Sequence, residues 1–555
     1  MSERVRVLVD SPARASYRPL PIGTQRLLRA RRARLLLAAL SCGALLLAAP
    51  AAGTHSHDGT VPLRVMTLNI FYGGDELDLA TGDWCTKVRG CKRTLAKVTQ
   101  AIRDSGADVV GLEEGEHSTR TIADALGWYA SERMQVVSRY PLVDPPGGNG
   151  TYIYVELMPG KVVAMENAHL PSDPYGPYLV RDGGSPHQLT ELELSTRMPA
   201  IEDEIAALPG LAARDIPVFL TGDFNSPSHL DWTPAVAAVR PDVVYPFVWP
   251  VSKALADAGF LDSYRQVHTD PVAVPGFTWT PGGPESVPDD VFDRIDWVLA
   301  AGPARALESR IVGEKGGPDV DIPLIPYPTD HRGVVSTFSV SPGEPSPFVA
   351  VERRRMTIGR PLSVVFHARG RRGEQVGIVK VGGEGADAVA RVPTGLGSPE
   401  DGTALLSTAG LRRGAYEAVL LDKHDDVLSR SAFWLYRPGE RTKVWTSRHV
   451  YRKGSPIRVS WSKAPGMRWD WLSVFPAGGK LPRQSICNAG YCGNDDYLIY
   501  EYTHTQIEGT TRFTKDSLVG NGSWPLKPGR YEIRLLLDDG YRAVARSKPF
   551  RVVKG

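Results

Sequence analysis

The chain has 555 residues, 42% hydrophobic and 23% charged, a balance that excludes a disordered chain, a collagen-like fibre and a multi-span membrane protein. At about 150 residues per domain the length predicts three or four domains, and five cysteines are too few for a disulfide-dense scaffold. The formal net charge of +3 hides a segregation: residues 1–60 carry 9 Lys+Arg against 3 Asp+Glu (net +6), residues 61–345 carry 22 against 39 (net −17) and residues 346–555 carry 34 against 20 (net +14), so an acidic middle suited to cations precedes a basic C-terminal half suited to anionic surfaces.

The N-terminus reads as an export segment over residues 1–51. Arg26, Arg29, Arg31, Arg32 and Arg34 precede an apolar run, residues 35–49, and Ala49-Pro50-Ala51 offers a small-x-small cleavage pattern. The competing reading is a short membrane anchor, for which the run is short. Secretion follows from the first reading. The mature chain then keeps four cysteines in two close pairs, Cys85 with Cys91 and Cys487 with Cys492. In an exported chain these are expected to be local disulfides.

Residues 60–340 alternate short apolar runs with helix-like stretches. Residues 63–68, 107–112, 162–168 and 216–221 read as strands, the last continuously apolar and so central, and residues 94–104 read as a helix. Residues 341–347, Ser-Pro-Gly-Glu-Pro-Ser-Pro, read as a linker. Beyond it short alternating strands and Gly/Pro turns dominate. Gly414-Ala415-Tyr416-Glu417 recurs as Gly529-Arg530-Tyr531-Glu532. Two tandem β-sandwich domains, residues 348–437 and 441–555, fit this repeat.

The chemistry-bearing residues cluster at strand ends of the first region. They are Asn69, Glu113 and Glu114, His169, Asp223 and Asn225, Asp296, and Asp330 with His331. Singly, an Asp or Asn after a strand is most often a turn residue, and a lone His a structural one. Asp296 differs because it interrupts an apolar strand pattern. A buried carboxylate there needs a partner, either a His or a metal. Together, carboxylates, amides and two His form an inventory for a hard, oxygen-ligated cation and phosphoryl chemistry.

The ordered series Leu68-Asn69, Leu112-Glu113-Glu114, Ser138-Arg139-Tyr140-Pro141-Leu142, Ala168-His169-Leu170, Gly222-Asp223-Phe224-Asn225, Arg294-Ile295-Asp296 and Thr329-Asp330-His331 resembles the endonuclease/exonuclease/phosphatase superfamily, which includes pancreatic deoxyribonuclease. The resemblance covers residues 60–340. It implies an α/β four-layer sandwich, two packed mixed β-sheets flanked by helices, and a phosphoric ester hydrolase that uses Mg²⁺ or Mn²⁺. It implies a metal site at Glu114 with Asn69 and Asp330. Asp223 and Asn225 match the pair that orients the attacking water and holds the phosphate. His331 matches the catalytic His, Asp296 its paired Asp, and His169 the second His of the deoxyribonuclease and sphingomyelinase branches. Two features depart from the pattern. Glu113 stands where Gln is common, which adds a charge, and the aromatic loop of residues 170–178 belongs to the substrate rim or to a stiff surface turn.

In the C-terminal half, Trp469-Asp470-Trp471-Leu472 followed by Tyr500-Glu501-Tyr502-Thr503 resembles Ig-like β-sandwiches such as SKICH-type modules. The basic balance there points to an anionic surface, such as cell wall, membrane headgroups or the acidic domain itself. For the catalytic region three readings stand: an exported hydrolase of a lipid headgroup or small phosphoester, an extracellular nuclease, and an inactive binding protein. Intact site residues argue against the third, and the acidic region leans away from nucleic acid. Residues 52–345 alone are expected to hydrolyse a small phosphodiester.

Overall fold

A nine-residue strand, Val61–Asn69, whose second half is buried without a break, sets the middle of the acidic half. The computed structural model describes residues 59–75, 77–78, 83–84, 91–281, 290–394, 401–479, 496–538, 540 and 542–555. The strands that build its acidic half are β1 (Val61–Asn69), β2 (Val109–Glu113), β3 (Tyr129–Ser131), β4 (Val136–Ser138), β5 (Leu142–Val143), β6 (Ile153–Met158), β7 (Lys161–His169), β8 (Val218–Asp223), β9 (Leu261–Asp262), β10 (Asp296–Ala301), β11 (Ala304–Glu314), β12 (Val320–Leu324) and β13 (Gly333–Val340). They make two mixed sheets, ordered β12-β11-β13-β1-β2-β4-β3 and β9-β10-β8-β7-β6-β5.

Burial explains the arrangement. Leu63, Val65 and Val109 of the first sheet share one apolar cluster with Val155, Val163, Phe219 and Val298 of the second. On the other face of the first sheet, helix α1 (Lys92–Ser105) sets Val98, Ala101 and Ile102 against Met66, Leu68, Val110 and Leu112. It ends at Gly106, whose left-handed φ of 69° suits a residue without a Cβ. Beyond the second sheet, Ile201, Val251 and Leu255 from helices Met198–Ala207 and Pro250–Asp257 cover Ala164, Leu220 and Leu299.

Register then places the chemistry. β1 and β2 run parallel with Asn69 opposite Glu113. β7 and β8 run parallel with His169 opposite Asp223, and β10 runs antiparallel to β8 with Asp296 opposite Asp223. One row of the second sheet therefore carries three of the sequence candidates. The sheets approach closely beneath this row. A Cβ on Gly111 of β2 would stand 1.9 Å from Asn167 Oδ1 and 2.4 Å from Thr221 Oγ1. Gly111→Ala should therefore destabilise the fold by about 1–3 kcal/mol, the usual cost of overpacking, read from urea or thermal unfolding.

Two expectations need correction. Asp296 does not interrupt a strand: β10 begins with it, and the preceding backbone turns at Thr278, whose hydroxyl accepts the Ile295 and Asp296 N–H groups at 3.0 and 3.1 Å. Residues 341–347 are not a free spacer either. Gly343 exchanges both backbone hydrogen bonds with Val162 of β7, at 2.8 and 3.0 Å. Phe348 and Ala350 then join the apolar cluster of the second sheet. Residues 55–555 form one compact unit.

The C-terminal half is β-rich. Its first part pairs Phe348–Val351, Leu362–His367 and Asp401–Leu406 in one sheet and sets Gly414–Leu421 within a five-stranded second sheet. Its last part repeats the plan, with Gly529–Leu536 in the larger sheet. The repeated Gly-x-Tyr-Glu opens both strands, and both tyrosines do the same work. The Tyr416 hydroxyl donates to the Arg412 carbonyl at 3.0 Å, and the Tyr531 hydroxyl to the Lys527 carbonyl at 2.7 Å. The export segment lies outside the described residues, as do Cys85, Cys487 and Cys492.

Candidate functional site

The site lies where the ends of β1 and β2 meet the ends of β7, β8 and β10. Asn69, the last residue of β1, is fully buried. Its Nδ2 donates to Asp223 Oδ2 at 3.0 Å and to Glu114 Oε1 at 3.3 Å, so one amide links the two sheets. Its Oδ1 accepts the Phe71 N–H at 3.0 Å. Glu114 Oε2 accepts the Tyr72 N–H at 2.5 Å. Phe71, Tyr72, Glu114 and Asn225 hold φ values of 56°, 46°, 56° and 47°. This is the left-handed region that side chains with a Cβ disfavour, and such conformations gather at functional sites.

Asp223 is the hub. Its Oδ1 accepts the Asn225 N–H at 2.9 Å, and its Oδ2 lies 3.6 Å from His331 Nε2 and 3.8 Å from His169 Nε2. Asn225 Nδ2 donates to the Leu170 carbonyl at 2.9 Å, which ties the turn after β8 to the turn after β7. His331 Nδ1 donates to Asp296 Oδ2 at 3.0 Å. Asp330 sits beside this pair, with Thr329 Oγ1 3.3 Å from its Oδ1, while the same hydroxyl bonds the Asn69 carbonyl at 2.7 Å. Asn69, Glu114, His169, Asp223, Asn225, Asp296, Asp330 and His331 are thus brought to one place.

Burial and charge set the protonation of the site. Burial by itself would lower the His331 pKa, but Asp296, Asp223 and Asp330 outweigh it and hold the imidazole well above its ordinary value. Burial pushes Asp296 up to about 6, against the pull of His331. At neutral pH the two form an imidazolium–carboxylate pair. Burial first, then the charges of Asp296 and Asp223, raise the Glu113 pKa well above its ordinary value, and its Oε1 accepts from Thr67 Oγ1 at 2.9 Å.

A hard cation fits these residues. Glu114 and Asp223 offer carboxylate oxygens at a buried, acid-rich point bridged by the Asn69 amide, and Asp296 Oδ1 is buried with no hydrogen-bond partner. Asp223, Asp296 and His331 also present donor atoms within 4.8 Å of one another. Asp296 and His331 already bond each other through Oδ2 and Nδ1, which favours the Glu114 side. Burial, together with Asp330, pushes Glu114 up to about 7 against the pull of His169. Its carboxylate becomes an anion only as pH rises through that value. Mn²⁺ affinity should therefore strengthen about tenfold between pH 6 and pH 8. Equal affinity at both pH values would remove Glu114 from the ligand set.

Several contributors were missed from the sequence. The Trp279 ring lies 4.9 Å from the His331 ring and its backbone exchanges hydrogen bonds with Asp293 at 3.0 and 3.1 Å. The signal available was Phe277-Thr278-Trp279-Thr280, an aromatic and β-branched run just before the Pro/Gly stretch. Thr278 contributes a hydroxyl that accepts backbone N–H groups and Tyr72 its own N–H, and nothing in those residue types marks them. The aromatic loop after His169 docks on residues 290–293: Tyr178 donates to Asp290 at 2.7 Å, and Tyr175 to Asp293 at 3.4 Å.

Residues 66–331 match the model of the Endonuclease/Exonuclease/phosphatase family. The uncharacterized protein F14F9.5 of Caenorhabditis elegans is 28% identical over 307 residues, which cover 50% of this chain and 91% of that protein. Among solved structures, an endonuclease/exonuclease/phosphatase from Beutenbergia cavernae is 18% identical, covering 67% of this chain and all of its own at a TM-score of 0.30. An AP endonuclease from Archaeoglobus fulgidus is 15% identical, covering 49% and 98% at a TM-score of 0.31. TM-scores at that level have no bearing on substrate or mechanism.

Proposed function

We propose that residues 66–331, which match the Endonuclease/Exonuclease/phosphatase family model, are a metal-dependent phosphoric ester hydrolase that acts on a lipid-headgroup or other small phosphoester outside the cell. The observation that carries the reading is the convergence of Asn69, Glu114, Asp223 and the His331–Asp296 pair on one buried point. The small-substrate preference rests on charge: 22 Lys+Arg against 39 Asp+Glu over residues 61–345 repels a polyanion.

Glu114, with Asn69 and Asp330, would hold Mg²⁺ or Mn²⁺, which supplies Lewis-acid neutralisation of the phosphoryl oxygens. The chain's own groups do the rest. Asp223 takes a proton from the attacking water, its carboxylate aimed by the Asn69 amide. His331, protonated through its pair with Asp296, donates from Nε2 to a phosphate oxygen as charge develops there. His169 donates from the opposite side of Asp223, and the Asn225 amide contacts the phosphate.

The same proposal covers the wider chain. The two sheets and their helices form a four-layer sandwich over residues 60–340, and residues 348–437 and 441–555 are Ig-like sandwiches. Residues 1–51 are an export signal, and Cys85–Cys91 and Cys487–Cys492 are disulfides. A groove of about 960 Å³ lined by His449, Arg530, Arg551 and Lys554 supports contact with an anionic surface. Among the described residues no helix is long and apolar enough to cross a membrane.

A substrate panel tests this function. Full-length protein with Mg²⁺ or Mn²⁺ is assayed on soluble diesters and monoesters, on phospholipid vesicles, and on DNA and RNA across a salt series. Turnover of small or headgroup esters with little salt dependence is expected. Cleavage of nucleic acid alone at physiological salt would replace the reading with the extracellular nuclease.

A further inference from the structure

Arg468 belongs to the C-terminal half, yet its guanidinium lies inside the catalytic half. Its Nη1 donates to Glu166 of β7 and its Nη2 to Glu204 of the helix Met198–Ala207. Nη1 also lies 3.4 Å from the Asn167 carbonyl. Glu166 and Glu204 are 0% and 2% exposed. Two buried carboxylates on one planar fork is the geometry that arginine, and not lysine, satisfies. The loop that delivers it is built for the purpose. Asp470 accepts the Gly466 and Met467 N–H groups at 2.9 and 3.1 Å, the Arg468 N–H bonds the Arg133 carbonyl at 3.2 Å, and the Trp469 ring lies 4.7 Å from the guanidinium carbon.

The anchored residues lead directly into the site. Glu166 and Asn167 are followed by Ala168 and His169 on the same strand. The Thr221 hydroxyl bonds Asn167 Oδ1 at 2.8 Å and the Glu166 carbonyl at 3.1 Å, two residues before Asp223. A second contact reaches the other side of the site. Gly540 packs against Glu116, two residues beyond Glu114, so closely that a Cβ on it would stand 2.5 Å from the carboxylate.

We propose that Arg468 is a positioning residue for the hydrolase. From the C-terminal half it ties β7 to the helix Met198–Ala207, and through the Thr221 contacts that join β7 to β8 it sets His169 over Asp223. The catalytic centre is complete only with residues that the family-matched segment does not contain. This rests on the proposed hydrolysis, and the test separates the two claims.

Full-length Arg468→Met leaves two buried carboxylates without their cation and can fail to fold, so it is paired with the triple variant Arg468→Met/Glu166→Gln/Glu204→Gln, which removes the charge imbalance. In the folded triple variant kcat on a small phosphoester should fall about 10- to 100-fold with KM little changed, the range for loss of an outer partner that orients a reacting group. Arg468→Lys keeps the charge but not the fork, so it should lower the melting temperature less than Arg468→Met and still leave kcat reduced. In ¹⁵N-histidine spectra of each folded variant the His169 imidazole signals should shift, while those of His367, which pairs with Asp401, stay in place. A folded triple variant with kcat within about twofold of the parent and an unmoved His169 would overturn the proposal. A parent protein with no esterase activity but a His169 signal that moves on Arg468 substitution would sink the hydrolase reading and leave the positioning role standing.

Discussion

His331→Ala should lower kcat by about 10²- to 10⁴-fold, the range for loss of a positioned acid–base group, and Asp296→Asn should cost about 10²-fold or more. The double variant should lose little beyond the worse single change. Geometry is the reason. Asp296 Oδ2 and His331 Nδ1 are 3.0 Å apart and buried, and Nε2 points at Asp223 from 3.6 Å. The Asn in Asp296→Asn can still bond the ring, but it no longer holds a proton on Nδ1 by charge, so the imidazole loses its cationic form. Residues that act as a unit give non-additive losses. Steady-state kinetics on the four proteins of the cycle, each checked for folding, supply the measurement. Losses that multiply in full would show that the pair does not act as one.

The second large effect is at Glu114. Glu114→Ala should reduce turnover to near background while the fold persists, because the side chain is held by a backbone N–H and one amide and packs little apolar surface. Excess EDTA should do the same to the parent, and added Mg²⁺ or Mn²⁺ should restore the parent alone. Undiminished hydrolysis in EDTA would remove the cation from the mechanism.

How much of this was legible from the residues depends on the kind of signal each carries. Alternation and continuous apolar runs located β1, β2, β7 and β8 to within about two residues, because burial on one or both faces writes itself into residue type. Strand-end polar residues were legible for the same reason: after an apolar run, Asn69, Glu114, His169 and Asp223 stand out. Short strands such as Leu142–Val143 and Leu261–Asp262 were not, since two residues make no period. The upward push on the Glu113 pKa was not legible because its surroundings, not its residue type, cause it. Arg468 was invisible for a further reason. It lies 302 residues from Glu166, and one basic residue in a basic half looks like solvated surface.

The seam between the halves bears on how such a chain can change over generations. Gly343 bridges the start of β7 at Val162, Phe348 belongs to the core of the second sheet, and Arg468 neutralises two buried carboxylates of the catalytic half. A composition boundary at residues 341–347 looks like a joint where one gene segment could be exchanged for another. Recombination there would strand Glu166 and Glu204 without their cation and open an apolar face at Tyr154. A hybrid that keeps only the catalytic segment would leave both carboxylates and that apolar face uncovered, a cost that residues 52–345 alone, expected from the sequence to be active, would have to bear.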